Sequence, residues 1–167
     1  MKQPFIPPIL TGLGCDSHRL GDSNKPLILG GVKILQNNGP FSNSDGDAII
    51  HAICNAFEIA AQSGSIACYA DSMCQKEGIT DSAFYLDFVQ NEAIRKGFEL
   101  ISVSVSVEAK TPQLEPFSAK IKERLSQLLG IKKEFIGLTF TSGEDLTQAG
   151  LGKGISVLAL ANFREIK

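Results

Sequence analysis

The segment Ile101-Ser102-Val103-Ser104-Val105-Ser106-Val107 alternates apolar and polar residues with a strict period of two. Successive side chains of a strand point to opposite faces, so this run buries its β-branched residues on one face of a sheet. A helix would scatter the same four apolar side chains around its axis. The chain must therefore build a sheet, and other segments must cover its apolar face.

Those segments are legible as helices. Ile49, Ile50, Ile53, Phe57 and Ala60 follow a helical period, and Ser44 followed three residues later by Asp47 has the form of a capping box, which places the helix start at Ser44. A second helix is predicted over residues 81–96, ended by Gly97, and a third from Pro116 in its first turn to Leu129, closed by Gly130. Further strands are predicted at residues 10–14, 27–32, 135–141 and 155–163, while the small and polar residues of 63–78 read as a loop. Strands interleaved with helices give an α/β (α+β) fold with helices on one sheet face. The length of 167 residues and a hydrophobic fraction of 43% suit one domain spanning residues 1–167.

Sixteen basic against eighteen acidic residues give a net charge of −2, and no Lys/Arg run is present, so no nucleic-acid partner is expected. No apolar stretch is long enough to span a bilayer, and residues 1–9 carry three prolines and one lysine, unlike a secretory leader. Cys15, Cys54, Cys68 and Cys74 form no CxxC pair. Reduced thiols and a cytoplasmic location, away from any membrane, are the expectation.

The chain has only two histidines. His18 closes Asp16-Ser17-His18, and two residues apart on an extended segment Asp16 and His18 project to the same side. His51 lies four residues beyond Asp47, on the predicted helix, where Asp47, His51 and Asn55 share a face. Imidazole and carboxylate are the ligands a zinc ion takes at a catalytic site, where three protein groups leave one position open. A metal site of Asp16, His18 and His51 follows. Other motif readings fail. Phe41 and Ala52 stand where the first and last carboxylates of a calcium loop belong, and Gly150, Gly152 and Gly154 lead into a strand, unlike a dinucleotide fingerprint. A tight turn or close chain contact is the reading left for those glycines.

Taken in order, Asp16-Ser17-His18, Ile28-Leu29-Gly30-Gly31-Val32 and Ser44-Asp45-Gly46-Asp47 with His51 resemble the 2-C-methyl-D-erythritol 2,4-cyclodiphosphate synthase family. Pro112-Gln113-Leu114-Glu115-Pro116 is similar to its Pro-Lys-Leu-x-Pro loop, and Thr141-Ser142-Gly143-Glu144 to its Thr-Thr-Thr-Glu segment, so the resemblance covers about residues 11–163. It implies a mainly four-stranded mixed sheet covered on one face by helices. It also implies a homotrimer with its sheets facing the three-fold axis and active sites between subunits.

The implied reaction is metal-assisted intramolecular phosphoryl transfer in the non-mevalonate isoprenoid pathway. The 2-phosphate of 4-diphosphocytidyl-2-C-methyl-D-erythritol 2-phosphate closes onto the β-phosphorus and expels CMP. Zn2+ would sit on Asp16, His18 and His51, and a second divalent ion, Mg2+ or Mn2+, beside Glu144. Asn43 and Ser142 match the positions that stabilise the transferring phosphoryl group. Ala109, Lys110, Thr111, Pro112, Gln113 and Leu114 match the loop that holds the cytidine. Substrate contacts are further implied for Asp16, Ser17, His18, Ser44, Ser65, Ile66, Ala67, Thr141, Gly143 and Glu144.

Several positions depart from the family pattern. Asn43 replaces a histidine, Ser142 a threonine, Asn55 and Ser65 aspartates, and Asp145 a common lysine; the 66–71 segment is one residue short. Leu151 replaces an arginine that lines the trimer axis, and Lys153 an acid, which implies that an axial anion site is absent or differently built. A relative that keeps the trimer, metal and nucleotide pocket without turnover is the alternative these changes suggest.

Overall fold

The alternating run lies inside β4 (Phe98–Glu108), and Val103, Val105 and Val107 are buried on one face as the period requires. A computed structural model describes residues 8–62 and 64–166, so residues 1–7 of the 1–9 segment on which the leader reading rests lie outside the described residues. The other strands are β1 (Ile9–Arg19), β2 (Leu27–Leu29), β3 (Val32–Leu35), β5 (Ile136–Thr141) and β6 (Gly154–Glu165). Four of them form one mixed sheet in the order β1-β6-β4-β5, with β4 and β5 parallel and the other pairs antiparallel. β1, β4 and β5 therefore run the same way and end at the same end of the sheet.

The helices are α1 (Ala48–Ala61), α2 (Ala67–Glu77), α3 (Ser82–Arg95) and α4 (Ser118–Leu129). α1 lies closest to the sheet. An added Cβ at Gly12 would sit 1.8 Å from the Ala56 carbonyl oxygen, and one at Gly14 2.1 Å from that of Ala52. These two glycines let the helix backbone rest directly on β1, which brings any side chain on that helix face to the strand. α3 packs beside α1, and Ile121 and Leu125 of α4 are fully buried. The opposite sheet face keeps Leu13 54%, Leu158 52% and Leu160 40% exposed.

Three expectations need correction. The helix carrying His51 starts at Ala48, capped by Asp47. Gly46 takes φ +66°, which breaks the helix before Asp47, and Ser44 Oγ instead accepts the Gly46 amide at 3.2 Å within the preceding loop. The 27–32 segment is a hairpin, because Gly30 and Gly31 both take positive φ and turn β2 into β3. Their amides donate to Asp47 Oδ1 at 2.8 Å and Oδ2 at 2.6 Å, so the buried cap also ties down the hairpin.

The third correction is α2, which occupies most of the predicted 63–78 loop; Ser63 lies outside the described residues. None of its residues is buried, so it lacks the apolar stripe by which a helix is read from sequence. Tertiary contacts fix it: the Ile66 amide donates to Asn55 Oδ1 at 3.1 Å, and the Tyr69 and Phe88 rings lie 4.8 Å apart.

Candidate metal centre and the site around it

Alternation along β1 turns Asp16 and His18 towards α1, and Ser17 and Arg19 to the other sheet face. His51 is one turn into α1, above the strand segment that Gly12 and Gly14 leave bare. His18 Nε2 lies 3.0 Å from Asp16 Oδ2, His51 Nδ1 lies 3.2 Å from the same oxygen, and the two ring nitrogens are 3.4 Å apart. A tetrahedral ion with bonds of ~2.0–2.1 Å has ligands ~3.3 Å from one another. The three edges match that figure. Among the described residues this is the one group of three or more His, Cys, Asp or Glu side chains that converges closely enough to hold a metal ion.

The electrostatics fit a cation. Burial alone would raise the Asp16 carboxyl, but hydrogen bonds and charge from His18 and His51 hold it well below its ordinary range. Burial alone would likewise lower His51, yet the bond to Asp16, the charge of Asp16 and those of Asp47 and Asp45 raise it. Positive charge is thus favoured at this point.

The remaining predicted residues fall into two groups. Near the triad, Asn55 Nδ2 donates to the Cys15 carbonyl at 3.1 Å while its Oδ1 accepts the Ile66 amide. Both ends of the side chain are spent on backbone, and they bring Ser65, Ile66 and Ala67 alongside β1. Asn43 is exposed in the loop before α1; Lys25 Nζ braces that loop through the Ser42 and Ser44 carbonyls.

The second group lies at the opposite sheet edge. The row Asp16–Val157–Val107–Phe140 crosses the sheet, so three strand spacings, roughly 14 Å, separate the triad from β5. Thr141, Ser142, Gly143 and Glu144 follow β5, with Ser142 Oγ donating to Glu144 Oε1 at 2.9 Å. Glu144 takes φ +46° and its side chain is exposed. The 109–114 loop is held against this segment, the Ala109 amide donating to the Thr141 carbonyl at 3.0 Å and that of Lys110 to the Ala149 carbonyl at 3.3 Å. Thr111-Pro112 is cis, Gln113 is exposed, and Leu114 is buried in the core, so its side chain anchors the loop.

Residues 9–164 match the family model described as the YgbB family. The chain belongs to the YgbB family. It is 37% identical over 157 residues to a 2-C-methyl-D-erythritol 2,4-cyclodiphosphate synthase of Chlamydia trachomatis, covering 92% of this chain and 87% of the relative. Among solved structures it resembles the bifunctional IspDF of Campylobacter jejuni, with a TM-score of 0.89 and 30% identity over 97% of this chain but only 44% of that one. It also resembles a Plasmodium falciparum IspF in complex with CDP, with a TM-score of 0.83 and 27% identity over 98% of this chain and 100% of the other.

Sequence reasoning missed one group in this YgbB-family site. His51 Nε2 lies 2.8 Å from Ser82 Oγ, and Ser82 in turn contacts Asp45. The sequence signal was available only in part. Asp45 stands inside the Ser-Asp-Gly-Asp run, but Ser82 is thirty-one positions from His51 and outside the motifs of the sequence.

Proposed function

We propose that the chain is a 2-C-methyl-D-erythritol 2,4-cyclodiphosphate synthase acting on 4-diphosphocytidyl-2-C-methyl-D-erythritol 2-phosphate. The observation that carries this reading is the Asp16/His18/His51 triad with edges of 3.0–3.4 Å, in a chain of this family. Asp16, His18 and His51 would hold a zinc ion and Glu144 a magnesium or manganese ion, and these would supply positive charge against the diphosphate.

The chain's own residues bind and orient. The 109–114 backbone holds the cytidine. The Ser142 hydroxyl and the Asn43 amide donate hydrogen bonds to the transferring phosphoryl group, Asn43 without the positive charge a histidine could carry. An oxygen of the 2-phosphate forms a bond to the β-phosphorus as the bond from that phosphorus to the bridging oxygen breaks. CMP leaves with that oxygen. Because nucleophile and electrophile belong to one molecule, alignment supplies much of the rate, and no side-chain nucleophile is needed.

A homotrimer belongs to this reading, and two features support it. The triad and the 141–144 segment lie at opposite edges of one sheet, so a second copy is needed to bring an Asp16-type edge beside a Glu144-type edge. The sheet face opposite the helices carries exposed Leu13, Leu158 and Leu160. A cytoplasmic location with no nucleic-acid or membrane partner is part of the same reading; no helix among the described residues is long and apolar enough to cross a membrane.

The deciding experiment incubates purified protein with the cytidylyl substrate and divalent metal and follows CMP and the cyclic diphosphate. Both are expected. His51→Ala should abolish turnover and lower zinc content. Metal and nucleotide binding without either product would instead establish the non-catalytic module.

A further inference from the structure

The Ser44-Asp45-Gly46-Asp47 run holds two aspartates, and the structure gives them separate tasks. Asp47 caps α1 and fastens the Gly30–Gly31 turn. Asp45 faces the other way, towards the start of α3. Its Oδ2 accepts the Ser82 amide at 3.0 Å, its Oδ1 accepts the Ser82 hydroxyl, and its own amide donates to the Thr80 carbonyl at 2.8 Å. Ser82 is fully buried, and its Oγ lies 2.8 Å from His51 Nε2.

Proton counting fixes the direction of this chain of bonds. A carboxylate only accepts, and a serine hydroxyl has one proton to give. That proton goes to Asp45. Ser82 Oγ can then only accept from His51, which requires the proton of the imidazole on Nε2. With a cation at the triad, the lone pair of neutral His51 is then left on Nδ1, the atom 3.2 Å from Asp16 Oδ2 and 3.4 Å from His18 Nε2; without one, the Asp16 carboxylate competes with Ser82 for the imidazole proton. The Tyr85 ring, 6.2 Å from the imidazole and tilted 40° to it, packs nearby.

We propose that Ser82 and Asp45 are positioning residues that hold His51 as its Nε2–H tautomer and aim Nδ1 into the triad. The inference rests on the reading that the triad holds a divalent ion, and extends it by naming what orients one ligand. Partners beyond the ligand shell of this kind govern both ring orientation and basicity.

The test uses the full chain with zinc as the probe. Zinc affinity is measured by competition with a chromophoric chelator for the wild type, Ser82→Ala and Asp45→Asn. The 15N spectrum of the metal-free proteins is read at alkaline pH, where only two histidines contribute. The wild type should show more of His51 with its proton on Nε2 than Ser82→Ala, in which Asp16 is left to draw the proton to Nδ1, and Ser82→Ala should bind zinc about 10- to 100-fold more weakly. Asp45→Asn, which leaves Ser82 free to turn its proton towards His51, should move both readouts the same way by a smaller factor.

Helix α3 keeps its Asp81 cap in both variants. If Ser82→Ala nevertheless fails to fold, as judged by circular dichroism, Asp45→Asn decides by the same two readouts. A folded variant with the wild-type tautomer and wild-type zinc affinity overturns the proposal. A wild type that binds no zinc removes the metal reading, while the metal-free tautomer still judges the Ser82–Asp45 chain separately.

Discussion

Lys110 Nζ lies 2.5 Å from Asp145 Oδ1, so an ion pair ties the loop after β4 to the segment after β5. Those are the two stretches proposed to hold the cytidine and the second metal. Asp145 is also one of the positions where this chain departs from the family pattern.

Both partners of that pair are exposed, with side chains 50% and 60% accessible, so the pair contributes under about 1 kcal/mol to stability. Its expected role is local. Asp145→Lys should change the urea midpoint little but raise KM for the cytidylyl substrate by about two- to tenfold, and added salt should shrink the difference. Combining it with Lys110→Asp should recover most of the loss; steady-state kinetics at two ionic strengths check this.

Asp47 accepts amides of Gly30, Gly31 and Ile50 while fully buried. Asp47→Ala would leave two buried donors, the Gly30 and Ile50 amides, without a partner, each costing ~1–3 kcal/mol, whereas the Gly31 amide lies on an exposed residue that water can reach. A loss of at least about 2 kcal/mol is expected, read by chemical denaturation, and zinc affinity should fall with it because α1 carries His51.

Gly14→Ala places a methyl 2.1 Å from the Ala52 carbonyl oxygen and 2.3 Å from the Ala56 amide nitrogen. Neither backbone atom can yield without moving α1. The expected cost is about 1–3 kcal/mol or more. The informative readout is zinc affinity, which should drop as His51 moves away from Asp16 and His18. A variant that is destabilised yet binds zinc as the wild type does would show that the close contact does not position the triad.

The pH dependence follows from His51, whose raised pKa means that the folded metal-free protein binds this proton more tightly than the unfolded chain. The stabilisation is complete below the ordinary 6.5 and is lost as pH rises through the raised folded value. Zinc needs the Nδ1 lone pair, so the proton competes with it. The rise in Tm on adding zinc should therefore grow with pH across the same window. Asp16, held low, loses its own contribution only as pH falls well below the usual carboxylate range. Thermal melts with chelator and with zinc, from about pH 5.5 to about pH 9, test the sign.

Leu158, 52% exposed on the uncovered sheet face, should be buried in a homotrimer. Leu158→Asp would place a charge in that contact. Sedimentation should show a shift from trimer to monomer, with turnover lost and zinc binding by the triad kept. A trimeric wild type and an equally trimeric variant would remove this face from the interface.

Local pattern determined much of this protein. The period of two in β4, the helical period of α1 and the helix-ending residues Gly97 and Gly130 are short-range signals, and each element they announce is present, although α1 starts at Ala48 and not at Ser44. The Asp16/His18 pair was legible because alternation alone turns both to one side of a strand. Tertiary structure decided what depends on contacts between distant segments. α2 has no buried stripe to announce it, and Asp47 rather than Ser44 caps α1 because the cap is shared with the Gly30–Gly31 turn. Ser82 reaches His51 only once α3 packs beside α1, and the gap between the triad and Glu144 follows from a strand order that no local propensity encodes. Residue types and spacing show which groups can bind a metal, and the packing of α1 on two glycines brings them to one point.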